Sequence, residues 1–294
     1  MSGAAAAVTT REGAAIAWQQ LGEGPDAILI HGLATNRAFW YGGLAQRLKH
    51  ARHVTLYDLR GHGYSGRPDS GYTASAQADD LLRLMDALGI AQADLIGHSY
   101  GGGIALELAV AHPDRVRTLT MMDSRINAVQ PKQWLSDSPH LSDFEQDVAA
   151  ADGRDWAADP QIGFTFMEVM ARLHLSGYRP QRRDAFTPFS EGRGGQRLAK
   201  QFVELIDRTS AMKDFITPCA PPEALAKLRV PLTLMYGEYS RCRPSGEALA
   251  KLLPHASYHV LPQGGHFFPV THAETVNALV MEVLGCPPAS QEAA

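Results

Sequence analysis

Residues 93–103 read Ala93-Asp94-Leu95-Ile96-Gly97-His98-Ser99-Tyr100-Gly101-Gly102-Gly103. The first five read as a short strand. From Gly101 to about His112 the character is helical, and it stops at Pro113. Ser99 therefore sits where a strand passes straight into a helix, the context that gives Gly-x-Ser-x-Gly its meaning. The turn is so tight that side chains at 97 and 101 would clash, which accounts for both glycines. It pushes the Ser99 hydroxyl out of the backbone and sets the first N–H groups of the helix beside it. A carbonyl attacked by Ser99 would develop its charge at the positive end of that helix. Gly102 and Gly103 are expected to bring the helix close to the sheet. A bare Gly-x-Ser-x-Gly in a glycine-rich loop is a weak pattern; the flanking strand and helix give this one its weight.

Working outward, strands and helices alternate. Residues 8–11 and 14–19 read as two strands joined at Glu12-Gly13. Residues 27–31 are a continuous apolar run, as in a parallel strand buried on both faces. A helix is expected over 37–50, a strand over 53–58 and a helix over 75–88, which stops at Gly89. Residues 116–122 form a strand that ends at Asp123. The alternation resumes with strands at 231–236 and 257–261 and helices at 245–253 and 273–284. Such units imply an α/β fold with a mostly parallel sheet, eight strands in this count, flanked by helices.

Residues 124–228 carry no strong strand signal, but helical periods lie near 164–173 and 198–210. A stretch of this length is too long for a loop. We expect a helical cap over 125–228, inserted between the sixth and seventh strands. The core would then be 1–124 and 229–285, with a frayed tail over 286–294. Ligands of such sheets bind at the carboxyl ends of the strands, so a cap there would cover a site.

The chain has 294 residues, 45% hydrophobic and 20% charged, which excludes wholesale disorder. A net charge of −4 gives no electrostatic footprint for nucleic acid or an anionic membrane. No apolar run reaches the roughly 18 residues of a membrane-spanning helix, and the first residues lack the form of a secretory leader. Cys219, Cys242 and Cys286 have no metal-site spacing and are odd in number. Reduced thiols and a cytoplasmic location are the expectation, with no metal or cofactor.

Three motifs together resemble the α/β-hydrolase superfamily. They are Gly97–Gly101, His31-Gly32 after an earlier strand, and Asp58-x-Arg60-Gly61-His62-Gly63-x-Ser65 after the next. The order of Ser99 and the late His266 fits as well. The likeness covers about residues 8–124 and 229–284, and the middle segment corresponds to the family's variable cap. It implies a serine-nucleophile enzyme of the esterase, lipase or thioesterase kind. It assigns His266, in Gly264-Gly265-His266, as the base that a serine nucleophile requires. It maps the oxyanion-hole N–H groups to Leu33 and Tyr100. His31, His62 and His98 are expected to be structural.

The acid departs from the family pattern. The usual position is the last of Gly237-Glu238-Tyr239-Ser240, and Ser240 cannot compensate an imidazolium as a carboxylate does. Asp123, first after its strand, is preferred because catalytic side chains emerge at such strand ends. Glu238 is the alternative. Asp123 could instead pair with Arg125 or cap a turn; if both candidates were structural, the site would be a dyad.

In the insertion, Trp134, Trp156, Phe164, Phe166, Met167, Met170, Phe186 and Phe189 read first as cap core, with some facing an apolar pocket. Arg172, Arg179, Arg182, Arg183, Arg193 and Arg197 read first as a solvated face. Their sharper reading is an entrance for an anionic substrate, such as a thioester on a carrier protein. The leading expectation is hydrolysis of a small carboxylic ester, thioester or lactone through an acyl-enzyme. The same site could run C–C cleavage, lyase or cofactor-free oxygenase chemistry with His266 as base. A non-catalytic small-molecule receptor is the third possibility, since fold alone does not give function.

Overall fold

The computed structural model describes residues 8–137, 140–181 and 186–286. Nine strands are present among them: β1 Val8–Thr9, β2 Ala15–Ile16, β3 Trp18–Leu21, β4 Asp26–Ile30, β5 His53–Tyr57, β6 Ala93–His98, β7 Val116–Met122, β8 Leu232–Gly237 and β9 Ser257–Leu261. Seven of them form one sheet in the order β3-β5-β4-β6-β7-β8-β9. β3 runs antiparallel to β5, and the other neighbours are parallel. The sheet thus has seven strands rather than eight. The stretch expected as one strand over 14–19 divides at Ala17, whose N–H donates to the Ser65 hydroxyl. Its first half pairs with β1 in a separate ladder, and its second half joins the sheet edge.

The continuous apolar runs follow from burial on both faces. In β4, Ile28 and Ile30 face one hydrophobic cluster, while Ala27 and Leu29 face the other. The first cluster includes Leu81 and Leu84 of the helix Ala74–Ala87, Leu106 of the helix Tyr100–Ala111, and Leu249 of the helix Arg243–Leu252. The second takes Leu44 and Leu48 from one helix, and Val276 and Val280 from the helix Ala273–Val283. Cys286, expected to open a frayed tail, is buried in this second cluster; residues 287–294 lie outside the described residues.

Between β7 and β8 the chain forms helices, including Asp143–Asp152, Ile162–Leu175, Arg193–Arg208 and Ala211–Phe215. The segment is tied to the sheet unit by contacts distant in sequence. Arg67 pairs with Glu204, the Tyr72 N–H donates to Asp214, and the Phe215 ring packs on Tyr100. Among the described residues no helix is long and apolar enough to cross a membrane.

Candidate active site

The carboxyl ends of β6, β7 and β8 and the loop after β9 bring the site together. The sheet ladder continues past the strands: Ser99 N–H donates to the Met122 carbonyl at 2.8 Å, and Asp123 N–H to the Met235 carbonyl at 2.8 Å. Residues that follow neighbouring parallel strands are thereby held side by side.

Ser99 has φ 55° and ψ −123°, a left-handed backbone rare for a side-chain-bearing residue. The turn works because nothing projects from its glycines. A Cβ on Gly97 would meet Gly101 and Gly102 backbone at 2.5 Å, and one on Gly101 would strike the Ile30 and His31 carbonyls. Gly102 abuts Ser124, as close helix packing requires. Gly103 does not act this way, since its nearest neighbour would be an Ile126 methyl at an ordinary 3.8 Å. Leu33 and Tyr100, the expected oxyanion-hole positions, line the same cavity as Ser99. Tyr100 opens the helix, so its N–H has no partner within it.

His266 joins Ser99 to Asp123. Its Nε2 lies 3.0 Å from Ser99 Oγ and its Nδ1 2.7 Å from Asp123 Oδ2. Asp123 is fully buried, yet its carboxylate is well solvated by protein donors. Besides His266, it accepts from the Gly237 N–H at 2.9 Å and from the Ser240 hydroxyl. Ser240 is fixed in turn by the Cys242 N–H at 3.0 Å. Asp123 pairs with no arginine among the described residues; Arg125 turns to the carbonyls of Gln130 and Pro131. Glu238 points elsewhere, accepting the Gln263 N–H on an exposed turn at 2.8 Å.

Burial disfavours a charged His266. The Asp123 hydrogen bond and the Cys242 sulfur, 3.9 Å from Nδ1, outweigh it and raise its pKa to about 10. The other histidines here are built to stay neutral. Burial lowers His31 to about 3, where it bridges the Gly32 carbonyl at 2.7 Å and the Leu59 N–H at 3.0 Å. Burial likewise holds His98 well below its ordinary value, and His98 Nε2 meets the His266 carbonyl at 2.9 Å. His98 thus ties the nucleophile turn to the histidine loop. His62 is buried and bonded to the Arg60 carbonyl at 3.0 Å.

Sequence reasoning named Ser240 only as a residue unfit to be the acid, and it missed Cys242. The fourth position of Gly-x-x-Asp already pointed Ser240 toward the histidine; nothing in the sequence flagged Cys242. Above the three residues opens a cavity of about 380 Å³. Its walls are largely aromatic and sulfur-bearing, including Phe144, Phe164, Phe166, Met167, Met170 and Phe267. Of the arginine group, Arg172 is neutralised by Glu168 and Asp207. Arg179 donates to its own turn, and Arg197 lies over the Tyr64 ring. Arg182 and Arg183 lie outside the described residues.

Comparison with known proteins agrees with this fold. The family model described as alpha/beta hydrolase fold matches residues 28–273. A 2-hydroxymuconate semialdehyde hydrolase of Pseudomonas putida is 30% identical over 277 residues, covering 90% of this chain and 88% of the relative. The enol-lactonase of Burkholderia xenovorans LB400 superposes with a TM-score of 0.67 at 23% identity, covering 93% and 97% of the two chains. The esterase RhEst1 of Rhodococcus sp. ECU1013 gives 0.67 at 22% identity, covering 95% and 98%. The match across the sheet, together with a full-length relative, establishes the chain as a hydrolase of the α/β-hydrolase family.

Proposed function

We propose that the protein is a serine hydrolase acting on a small carboxylic ester, thioester or lactone. The observation that carries this reading is the unbroken Ser99–His266–Asp123 hydrogen-bonded chain beneath an apolar cavity. Residues 125–228 serve as its cap. His266 Nε2 takes the Ser99 proton as Oγ attacks the substrate carbonyl carbon. Asp123 keeps the Nδ1–H tautomer and balances the imidazolium. The Leu33 and Tyr100 N–H groups stabilise the oxyanion. Collapse breaks the bond to the alcohol, thiol or ring oxygen, which takes the proton from His266. Water, deprotonated by His266, then cleaves the acyl-enzyme to the free acid.

A second reading is C–C bond cleavage at the same Ser99–His266 site; the 30% identical relative is a 2-hydroxymuconate semialdehyde hydrolase. A fluorophosphonate probe with short-chain 4-nitrophenyl esters tests the first. Labelling and turnover should both vanish in Ser99→Ala. A folded wild-type protein that neither labels nor turns over these esters would overturn the reading. Ester turnover that survives in Ser99→Ala would move the weight to proton-transfer chemistry at His266.

A further inference from the structure

The charged residues lining the cavity do not balance. Arg241 is ion-paired with Glu145. Arg125 lines the same cavity and has no carboxylate in ion-pair range among the described residues. Its position is firmly set, two residues beyond Asp123. On one side the Tyr236 hydroxyl donates to the Ser124 carbonyl at 2.8 Å; on the other the Ile126 N–H donates to the Ser245 hydroxyl at 3.0 Å.

The guanidinium is held by one edge only. Nε donates to the Gln130 carbonyl at 3.1 Å and Nη2 to the Pro131 carbonyl at 2.8 Å. Nη1 is buried and has no partner. The guanidinium carbon lies 5.5 Å from the centre of the Phe164 ring. A guanidinium offers five donors in a planar fork suited to a carboxylate. Arg125 is half-buried; burial lowers its pKa, and the Asp137 charge, beyond ion-pair range, offsets this only in part.

We infer that Arg125 anchors a carboxylate on the substrate, so that the substrate class is a carboxylate-bearing ester, thioester or lactone. The anion takes Nη1 and the remaining Nη2 N–H, while the reacting carbonyl lies at Ser99. Nη1 is closed to water, so docking entails a shift of the side chains covering it. The inference rests on the serine-hydrolase reading above.

The test compares mono-4-nitrophenyl glutarate with its neutral methyl ester, alongside calorimetric titration of glutarate. Wild type should prefer the charged ester in kcat/KM and bind glutarate. Arg125→Gln should lose roughly 10- to 100-fold on the charged ester, change little on the neutral one, and no longer bind glutarate. Arg125→Lys should recover part of the loss. A wild-type protein with no charged-ester preference and no glutarate binding overturns the inference, whatever the variants do. An equal loss on both esters in Arg125→Gln makes the residue structural and also overturns it. Failure of the hydrolase reading looks different: Ser99 would not label and Ser99→Ala would keep its ester turnover, while glutarate titration would still report on Arg125.

Discussion

Asp123 receives hydrogen bonds from a backbone amide, a hydroxyl and an imidazole, with no solvent contact. Its amide isostere could not balance an imidazolium and would favour the wrong tautomer. Asp123→Asn should therefore lower kcat by about 10⁴-fold, whereas Glu238→Gln should leave it near wild type; steady-state ester hydrolysis separates the two. Removing the Ser240 hydroxyl deprives the carboxylate of one charge-assisted bond. Ser240→Ala should lose about tenfold in kcat with KM little changed.

A base must be neutral to accept a proton, and His266 has a raised pKa. Ester hydrolysis should climb into the alkaline range, with its acidic limb above the ordinary histidine value of 6.5. Cys242→Ala should shift that limb to lower pH, which a pH–kcat/KM profile would read. The same shift links to stability with a definite sign. Its contribution is complete below 6.5 and is lost as pH climbs through about 10. That Ser99, His266 and Asp123 would lie together was legible because each follows a strand end. Ser240 was not, because a hydroxyl acquires a role only from the group it happens to meet.

Among the elements, the strand–helix turn is the least tolerant. Gly101→Ala would drive a Cβ into two backbone carbonyls of the β4 end. We expect loss of fluorophosphonate labelling and a fall of several degrees in melting temperature. Parallel strands were legible because burial on both faces leaves unbroken apolar runs. The split at Ala17 was not, since a six-residue β pattern does not say which neighbour each half will meet. The helix Asp143–Asp152 was overlooked although it announces itself. Ser142 and Glu145 form a reciprocal capping box, and Gly153 ends the helix at φ 71°.

Across the whole molecule, one ion pair stands out. Arg60 and Asp80 meet through two bonds of 2.7 Å, with side chains 1% and 3% exposed. Arg60 also lies 3.1 Å from the more exposed Glu12, so Asp80→Ala would leave the buried guanidinium one weaker counter-charge, and urea unfolding should show a loss of about 3 kcal/mol. The place of the insertion in the chain was legible from the break in alternation. Its seat was not, because it rests on pairs such as Arg67 and Glu204 that no local pattern links. On the proposed reading the acid comes from the end of β7, and the turn after β8 is relieved of that duty. Tyr239, Arg241 and Cys242 on this turn instead face the cavity. The arrangement separates an evolvable rim from a fixed reaction centre. Randomising 239 and 241 should yield many active variants with altered ester preference, whereas the same library at 240 should yield few.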